Sequence, residues 1–442
     1  MRLVAQGSIV GLVAGTIIAL YRFSLSHAET LLRIATQWLA RRGALVLLWP
    51  CLLVVLCVVV AWLMMLEPYT QGSGIPQVDA EVAGRIDMPW YRVLVVKFCE
   101  GTLCAFSGLS LGREGPSVKL GSMVGKGGSR VLQDGRDRER LMVPCGAAAG
   151  MSAAFHAPLS GVLFAIEEIH REFSAALVTS VMAASVVSDF VSSQVLGIAP
   201  LVHFAEFASL PHDMYAFVIL LGIVCGVCGA AHNAGMFWVQ DAVFGPLERR
   251  SPVLRLAGPF ALAGICAFVF PDLMCGGDAI LERVLDVGAQ PTNLLVALLV
   301  GKYLFTAFCF GAGAPGGTLL PLVVLGSLVG AIYGRGVVAL TGMESFANSF
   351  IVLGVAGLFA GSIHAPVTAV ILVFELTGNL SALLSISMVS LIAYVTACLL
   401  RGEAFYEHLY ARLLGAMPGE GSRGALRHQK LVRTFVVGPG SY

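Results

Sequence analysis

Charge is the scarcest feature of this 442-residue sequence. Asp, Glu, Lys and Arg make up 12% of it, about half of the ~25% usual in soluble domains. The balance is close to neutral, +1 at pH 7, which argues against nucleic acid or a strongly charged membrane surface as a partner. A cleavable signal peptide is also missing: the apolar run 9–20 continues through Arg22, His27 and Glu29 without a small-residue cleavage site. No nucleophile–base or metal-ligand cluster stands out. His156 and His364 sit at the starts of repeat-related helices rather than at ligand spacing, so no metal and no cofactor is expected. The eleven cysteines fall mostly within apolar runs, as at Cys57, Cys266, Cys309 and Cys398. Cys225-Gly-Val-Cys228 has redox spacing but lacks a soluble βαβ context, and reads as small-residue packing.

What is abundant is apolar chain. Hydrophobic residues reach 57%, and the stretches 44–66, 214–239 and 379–400 carry no Asp, Glu, Lys or Arg. Each meets the roughly 20 residues needed to cross the hydrocarbon core as a helix. The alternating pattern of a transmembrane barrel is absent. The fold class is therefore an all-α polytopic membrane protein. Other segments, 103–112, 143–154 and 157–169, are too short or too broken by Gly and Pro for simple crossings. Such breaks survive only where backbone is enclosed by protein or lines a polar cavity, because unpaired N–H and C=O groups in lipid are costly. Tilted, partly spanning helices around an enclosed site fit this pattern. Loops are expected at 67–89, 133–140, 196–213, 248–255 and 275–291. The basic clusters at Arg41-Arg42, 136–140 and Arg249-Arg250 are too scattered to set the orientation in the membrane.

The chain also repeats itself. Residues 112–125 (GREGPSVKLGSMVG) and 317–330 (GTLLPLVVLGSLVG) share one skeleton: a glycine-rich turn, a proline where a helix can begin, then an apolar helical run. A second echo pairs Phe155-His-Ala-Pro158 and Glu167 with Ile363-His-Ala-Pro366 and Glu375, with identical proline-to-glutamate spacing. Gly121/Gly125 and Gly326/Gly330 are small-xxx-small pairs suited to close helix packing. Paired interrupted segments in corresponding halves of a membrane chain point to a substrate site. Helix N-termini ending inside the bilayer offer free N–H groups and a positive dipole end, so the expected substrate is a small anion. One membrane domain, 1–400, of two repeats, roughly 1–200 and 205–400, is expected. A polar segment, 401–442, follows with Arg401, Glu403, Arg412, Arg423, Arg427, Lys430 and Arg433.

The motifs Gly72-Ser73-Gly74-Ile75-Pro76, Gly112-Arg-Glu-Gly-Pro116 and 313–321 (GAPGGTLLP), followed by Tyr406, occur in an order and spacing that resembles the CLC chloride channel and transporter family. The resemblance runs from near residue 8 to about residue 412. It implies the CLC fold, with the two repeats inverted, and a homodimer with one pore per subunit. It also implies a multi-pass location in a cell membrane, here the bacterial inner membrane, with 401–442 holding the pore tyrosine and a short cytosolic tail. That tail is too short for the paired nucleotide-binding modules some members append, and the chain starts without the family's leading cytosolic helix, as a truncated start would.

Residue by residue, Ser73 and Gly74 form a turn in which a hydroxyl and amides can hold an anion weakly enough to release it. In the family this chain resembles, serine here goes with chloride, proline with nitrate and methionine with fluoride. Glu114 is a carboxylate at a helix start between uncharged runs. It is itself a small anion, able to fill the site when deprotonated and leave it when protonated. The resemblance makes it the gate and proton carrier. Amides of Thr318 and Leu319 are expected to donate to the anion, although the family commonly has phenylalanine where Leu319 stands. Tyr406 is expected to donate from the side opposite Ser73, with Tyr410 one turn on as an alternative that spacing leaves open. Of the pair ending an apolar helix, Glu168 matches the family's inner proton-transfer glutamate, which passive channels usually lack, and Glu167 matches Glu375 as a structural residue. The function implied is chloride transport by H⁺/Cl⁻ exchange, with a passive channel as the alternative. A membrane enzyme is disfavoured.

Overall fold

The structure, a computed structural model, describes residues 1–171, 173–197, 210–248, 250–285 and 290–415. Parts of the expected loops (198–209, Arg249 and 286–289) and the tail 416–442, with Arg423, Arg427, Lys430 and Arg433, lie outside the described residues. The first half holds α1 (Arg2–Ala40), α2 (Leu48–Leu66), α3 (Ile75–Val82), α4 (Trp90–Phe106), α5 (Glu114–Val131), α6 (Arg136–Phe155), α7 (Pro158–Phe164) and α8 (Ala175–Leu196). The second holds α9 (Tyr215–Trp238), α10 (Pro252–Val269), α11 (Asp278–Leu285), α12 (Thr292–Gly311), α13 (Leu319–Thr341), α14 (Ala347–Ile363), α15 (Pro366–Thr377) and α16 (Leu383–Leu399), and α17 (Phe405–Gly415) closes the order.

Nine helical stretches among the described residues are long and apolar enough to cross a membrane, and the chain is a multi-pass membrane protein. The 39 residues of α1 reach about 58 Å at ~1.5 Å per residue, well beyond the ~30 Å hydrocarbon core, so this helix tilts or projects. At the other extreme α3 and α11 have eight residues each. Proline opens α7 and α15 and stands in the first two positions of α3 and α10, where its missing N–H costs no helical bond and its fixed φ favours the start. The residues expected to begin α7 and α15 instead end the helices before them. His156 and His364 cap α6 and α14 in the left-handed region, at φ 55° and 66°, and the helices start at the prolines two residues later.

Large apolar side chains such as Leu20, Val54, Trp62 and Leu391 point outward, while Lys97, Glu100, Glu114, Lys119 and Lys302 are buried. Within each half the helices after the two glycine turns pack tightly. A Cβ on Gly146 of α6 would strike the Gly121 carbonyl of α5, and a Cβ on Gly354 of α14 would strike that of Gly326 in α13.

The halves also hold each other reciprocally. Glu167 accepts from the N–H and hydroxyl of Thr368, at 2.8 and 2.6 Å, and from Val367 N–H at 3.3 Å, at the start of α15. Glu375 accepts from Leu159 N–H and from the N–H and hydroxyl of Ser160, at 2.8, 2.7 and 2.5 Å, at the start of α7. Each carboxylate caps the start of the helix that carries the other. Equivalent residues serve one another in this way only when a twofold axis relates the halves. Removing either acceptor strands backbone donors at a helix start, so Glu375→Ala should lower stability by about 2 kcal/mol and Glu167→Ala by a similar amount. Thermal unfolding of the two purified variants in detergent checks this; a melting temperature equal to the parent's would contradict it.

Candidate functional site

The starts of α3, α5 and α13 are brought together by direct backbone pairing of the glycine turns. Gly112 and Gly317, the matching first residues of the two repeated stretches, form an antiparallel bridge: Gly112 N–H donates to the Gly317 carbonyl at 2.7 Å, and Gly317 N–H returns the bond at 2.8 Å. The Ser73 turn joins them: Gly72 N–H donates to the Gly313 carbonyl at 3.2 Å, and the Gly72 carbonyl accepts from Gly316 N–H at 3.1 Å. Side chains are excluded from this junction. A Cβ on Gly115 would lie 2.9 Å from Ser73 Cβ and 3.1 Å from Gly317 Cα. Gly74 has φ +92°, a conformation natural only to glycine.

Two buried lysines brace the turns from behind. Lys97 Nζ donates to the carbonyls of Thr70 and Gly72, both at 2.6 Å. Thr70 in turn donates its hydroxyl to Glu100 at 3.0 Å. In the second half Lys302 Nζ donates to the carbonyls of Leu273 and Cys275, at 3.0 and 2.7 Å, ahead of α11. Lys97 and Lys302 are separated by the same interval as Gly112 and Gly317. Sequence reasoning missed both. The signal was there, since Lys302 is the one charge of α12 and Lys97 the one cation of α4 beyond its first turn, and a charge at such a place is a functional hypothesis by default.

Glu114 lies fully buried at the first position of α5. Its Oε2 accepts from Leu320 N–H at 3.3 Å, across the junction in the other half, and its Oε1 has no hydrogen-bond partner. The amide it takes is thus Leu320, one residue beyond the expected pair Thr318 and Leu319, all three being buried at the start of α13. Tyr406, at the start of α17, is buried with its ring edge-on to Phe164 at 6.3 Å. Thr318 stands within its reach, and both Glu114 and Glu168 couple to it electrostatically, but its hydroxyl makes no hydrogen bond of good geometry. Buried polar atoms left unpaired are uncommon and ask for an explanation. Tyr410 is also buried on α17. Glu168 is buried in a single π-turn, Ala165–His170, that extends α7; such turns recur at functional sites.

Two cavities border the junction. A vestibule of about 780 Å³ is lined by Gly72, Ser73, Gln77, Arg255, Gly313 and Arg412 among others. A cleft of about 20 Å³, lined by Glu29, Gly112, Arg113, Asp278, Gly316 and Leu320 among others, has room for about one water molecule. Arg113 meets Asp278 there at 3.8 Å. Between the two openings stand the three helix starts and the Glu114 carboxylate. A row of inward-facing amides, two hydroxyls and a removable carboxylate suits reversible binding of a small anion. One carboxylate group elsewhere, Glu81, Asp87 and Glu139, has ligand-like proximity, but Lys126 pairs with Glu81 and Asp87, and Arg130 with Asp87 and Glu139. The hydrogen bond from Lys126 holds the Asp87 carboxyl below its usual range.

A twofold membrane fold with helix starts meeting at its centre defines an ion-translocating class. The model of the voltage gated chloride channel family matches residues 54–398, and the chain belongs to that family. It is 31% identical to the H(+)/Cl(-) exchange transporter ClcA of Vibrio parahaemolyticus over 92% of this chain and 89% of that protein. It is 30% identical to ClcA of Salmonella agona over 94% and 89%. Among solved structures, a slow cyanobacterial Cl⁻/H⁺ antiporter superposes with TM-score 0.88 at 28% identity, covering 94% of this chain and 99% of that one. A CLC-type fluoride/proton antiporter, at 18% identity and TM-score 0.73 over 91% and 96%, shares the fold.

The lysine braces make a prediction specific to one turn. With chloride as the probe in titration calorimetry, Lys97→Met should weaken binding about tenfold, some 1.4 kcal/mol, by releasing the Gly72 carbonyl beside Ser73. Lys302→Met, which frees carbonyls on the far turn, should leave the affinity within about twofold. Equal losses would contradict a turn-specific role.

Proposed function

We propose that this chain exchanges chloride for protons across the membrane. Chloride passes Ser73 and Gly74, the amides of Thr318, Leu319 and Leu320, and the Tyr406 hydroxyl. Glu114 carries the gate and Glu168 hands protons to it from the inner side. The observation that carries the reading is the Glu114 carboxylate resting on the Leu320 amide at 3.3 Å. A carboxylate there is an anion in an anion's place. Protonated, it no longer competes for the amide, and the site opens to chloride. One group thereby makes the movement of a proton and of an anion mutually dependent. Leu319 supplies its backbone amide but no aromatic ring, so ring-based gating has no counterpart here.

The second titratable group supports exchange over a passive pore. Glu168 is buried, and its counterpart in α15 is Leu376, so nothing in the symmetry of the fold demands a carboxylate there. The reading is of a transporter rather than an enzyme, in keeping with the relatives' names. It extends to one domain, 1–400, built of the repeats 1–200 and 205–400, to a homodimer with one pore per subunit, and to the bacterial inner membrane, the named relatives being bacterial.

The experiment follows chloride efflux and external pH together in chloride-loaded vesicles. Glu114→Gln should abolish proton movement and keep chloride flux. Glu168→Val should stop protons by at least about a hundredfold, since valine can neither take nor release one, again with chloride still crossing. Continued uphill proton transport in either variant would remove that residue from its role. A parent protein that passes chloride without protons would instead select the channel.

A further inference from the structure

The end of the π-turn carries a cation that the mechanism above leaves unused. Arg171 adopts the left-handed region, at φ 55°, and its N–H donates to the Ile166 carbonyl at 2.9 Å, closing the turn. This backbone folds the side chain back over the turn. Nε donates to the Glu168 carbonyl at 3.1 Å, and Nη2 lies 3.4 Å from Glu168 Oε1. The same Nη2 lies 3.8 Å from Asp79 Oδ2 on α3. That helix is the one opened by the Ser73 turn. One guanidinium therefore ties the element bearing Glu168 to the element bearing the anion-binding serine.

The charge count gives this contact a consequence. Two carboxylates share one fixed cation, so these three side chains carry one excess negative charge, which a single proton cancels. Asp79 is the more exposed of the two, at 15% of its side chain against 8% for Glu168, and stands nearer water. Glu407 on α17 faces all three groups, Glu167 and Tyr406 face Glu168, and Tyr410 faces Arg171. None of these supplies a second cation. We propose that Arg171 is the positioning residue of the inner proton site, and that it holds Asp79 and Glu168 as a pair through which one proton at a time enters. The proton bonds to an Asp79 oxygen from water, then passes to Glu168 as the Asp79 O–H bond breaks, with no redox change. This rests on the reading of Glu168 as the inner proton glutamate.

The test uses the full chain in vesicles, with chloride and proton fluxes measured as the internal pH is varied. Arg171→Gln should keep chloride flux but lower proton flux per chloride at least about tenfold, and move its pH profile upward by about one to three units as the opposing charge disappears. Arg171→Lys, which restores the charge, should recover most of both. Asp79→Asn should lower proton flux per chloride by a similar factor, and provides the test should Arg171→Gln not fold. The proposal is overturned if Glu168→Val uncouples while Arg171→Gln and Asp79→Asn keep the parent's ratio and profile, or if Arg171→Lys is as impaired as Arg171→Gln. Coupling that survives Glu168→Val would instead overturn the underlying assignment of Glu168.

Discussion

Everything near the centre of this protein depends on the two hydrogen bonds exchanged by Gly112 and Gly317. Backbone that leaves a helix inside a membrane must find partners within the protein, because lipid offers none. Here the two interrupted segments satisfy each other. Their pairing holds α5 and α13 start to start, and the Ser73 turn, hydrogen-bonded to Gly313 and Gly316, adds α3. The amides left over at the three helix starts have no helical partner by construction. One of them, Leu320 N–H, meets the Glu114 carboxylate at 3.3 Å. The proposed anion site is thus a by-product of the way the broken backbone is satisfied.

Symmetry separates scaffold from chemistry. Features present in both halves are those that hold the structure: the glycine bridge, the braces Lys97 and Lys302, the reciprocal caps Glu167 and Glu375, and the left-handed His156 and His364. Features present in one half carry the proposed chemistry. Glu114 answers to Leu319, and Glu168 to Leu376. Arg171 answers to Asn379, an uncharged residue beyond α15, which runs on as regular α-helix to Thr377 where α7 breaks into a π-turn. An exchanger needs a direction for its protons, and a strictly symmetric charge set would not give one.

The membrane class, the repeats and the three glycine turns were legible in the sequence because each rests on local chemistry: hydropathy, spacing and turn residues. Glu167 was legible as structural through its echo at Glu375, although only the fold shows that each caps the other's helix. The reading of His156 and His364 as helix starts failed because a His-Ala-Pro break looks alike from either side, and left-handed backbone at a non-glycine residue is not visible in composition. That Glu114 rests on the Leu320 amide was not legible, since a carboxylate's reach across two halves is a tertiary fact. The bracing by Lys97 and Lys302 was not legible because their acceptors are backbone carbonyls of separate turns, nor was the role of Arg171, because its partner Asp79 lies on a different helix.

The central claim is that the Glu114 carboxylate occupies an anion's place on the Leu320 amide, and bromide crystallography tests it most directly. In Glu114→Gln crystals soaked in bromide, the account expects an anomalous peak within hydrogen-bond distance of Leu320 N, where the parent protein shows the carboxylate and no peak. A bromide bound at that amide in the parent while Glu114 still rests on it, or no bromide there in the variant, would contradict the account.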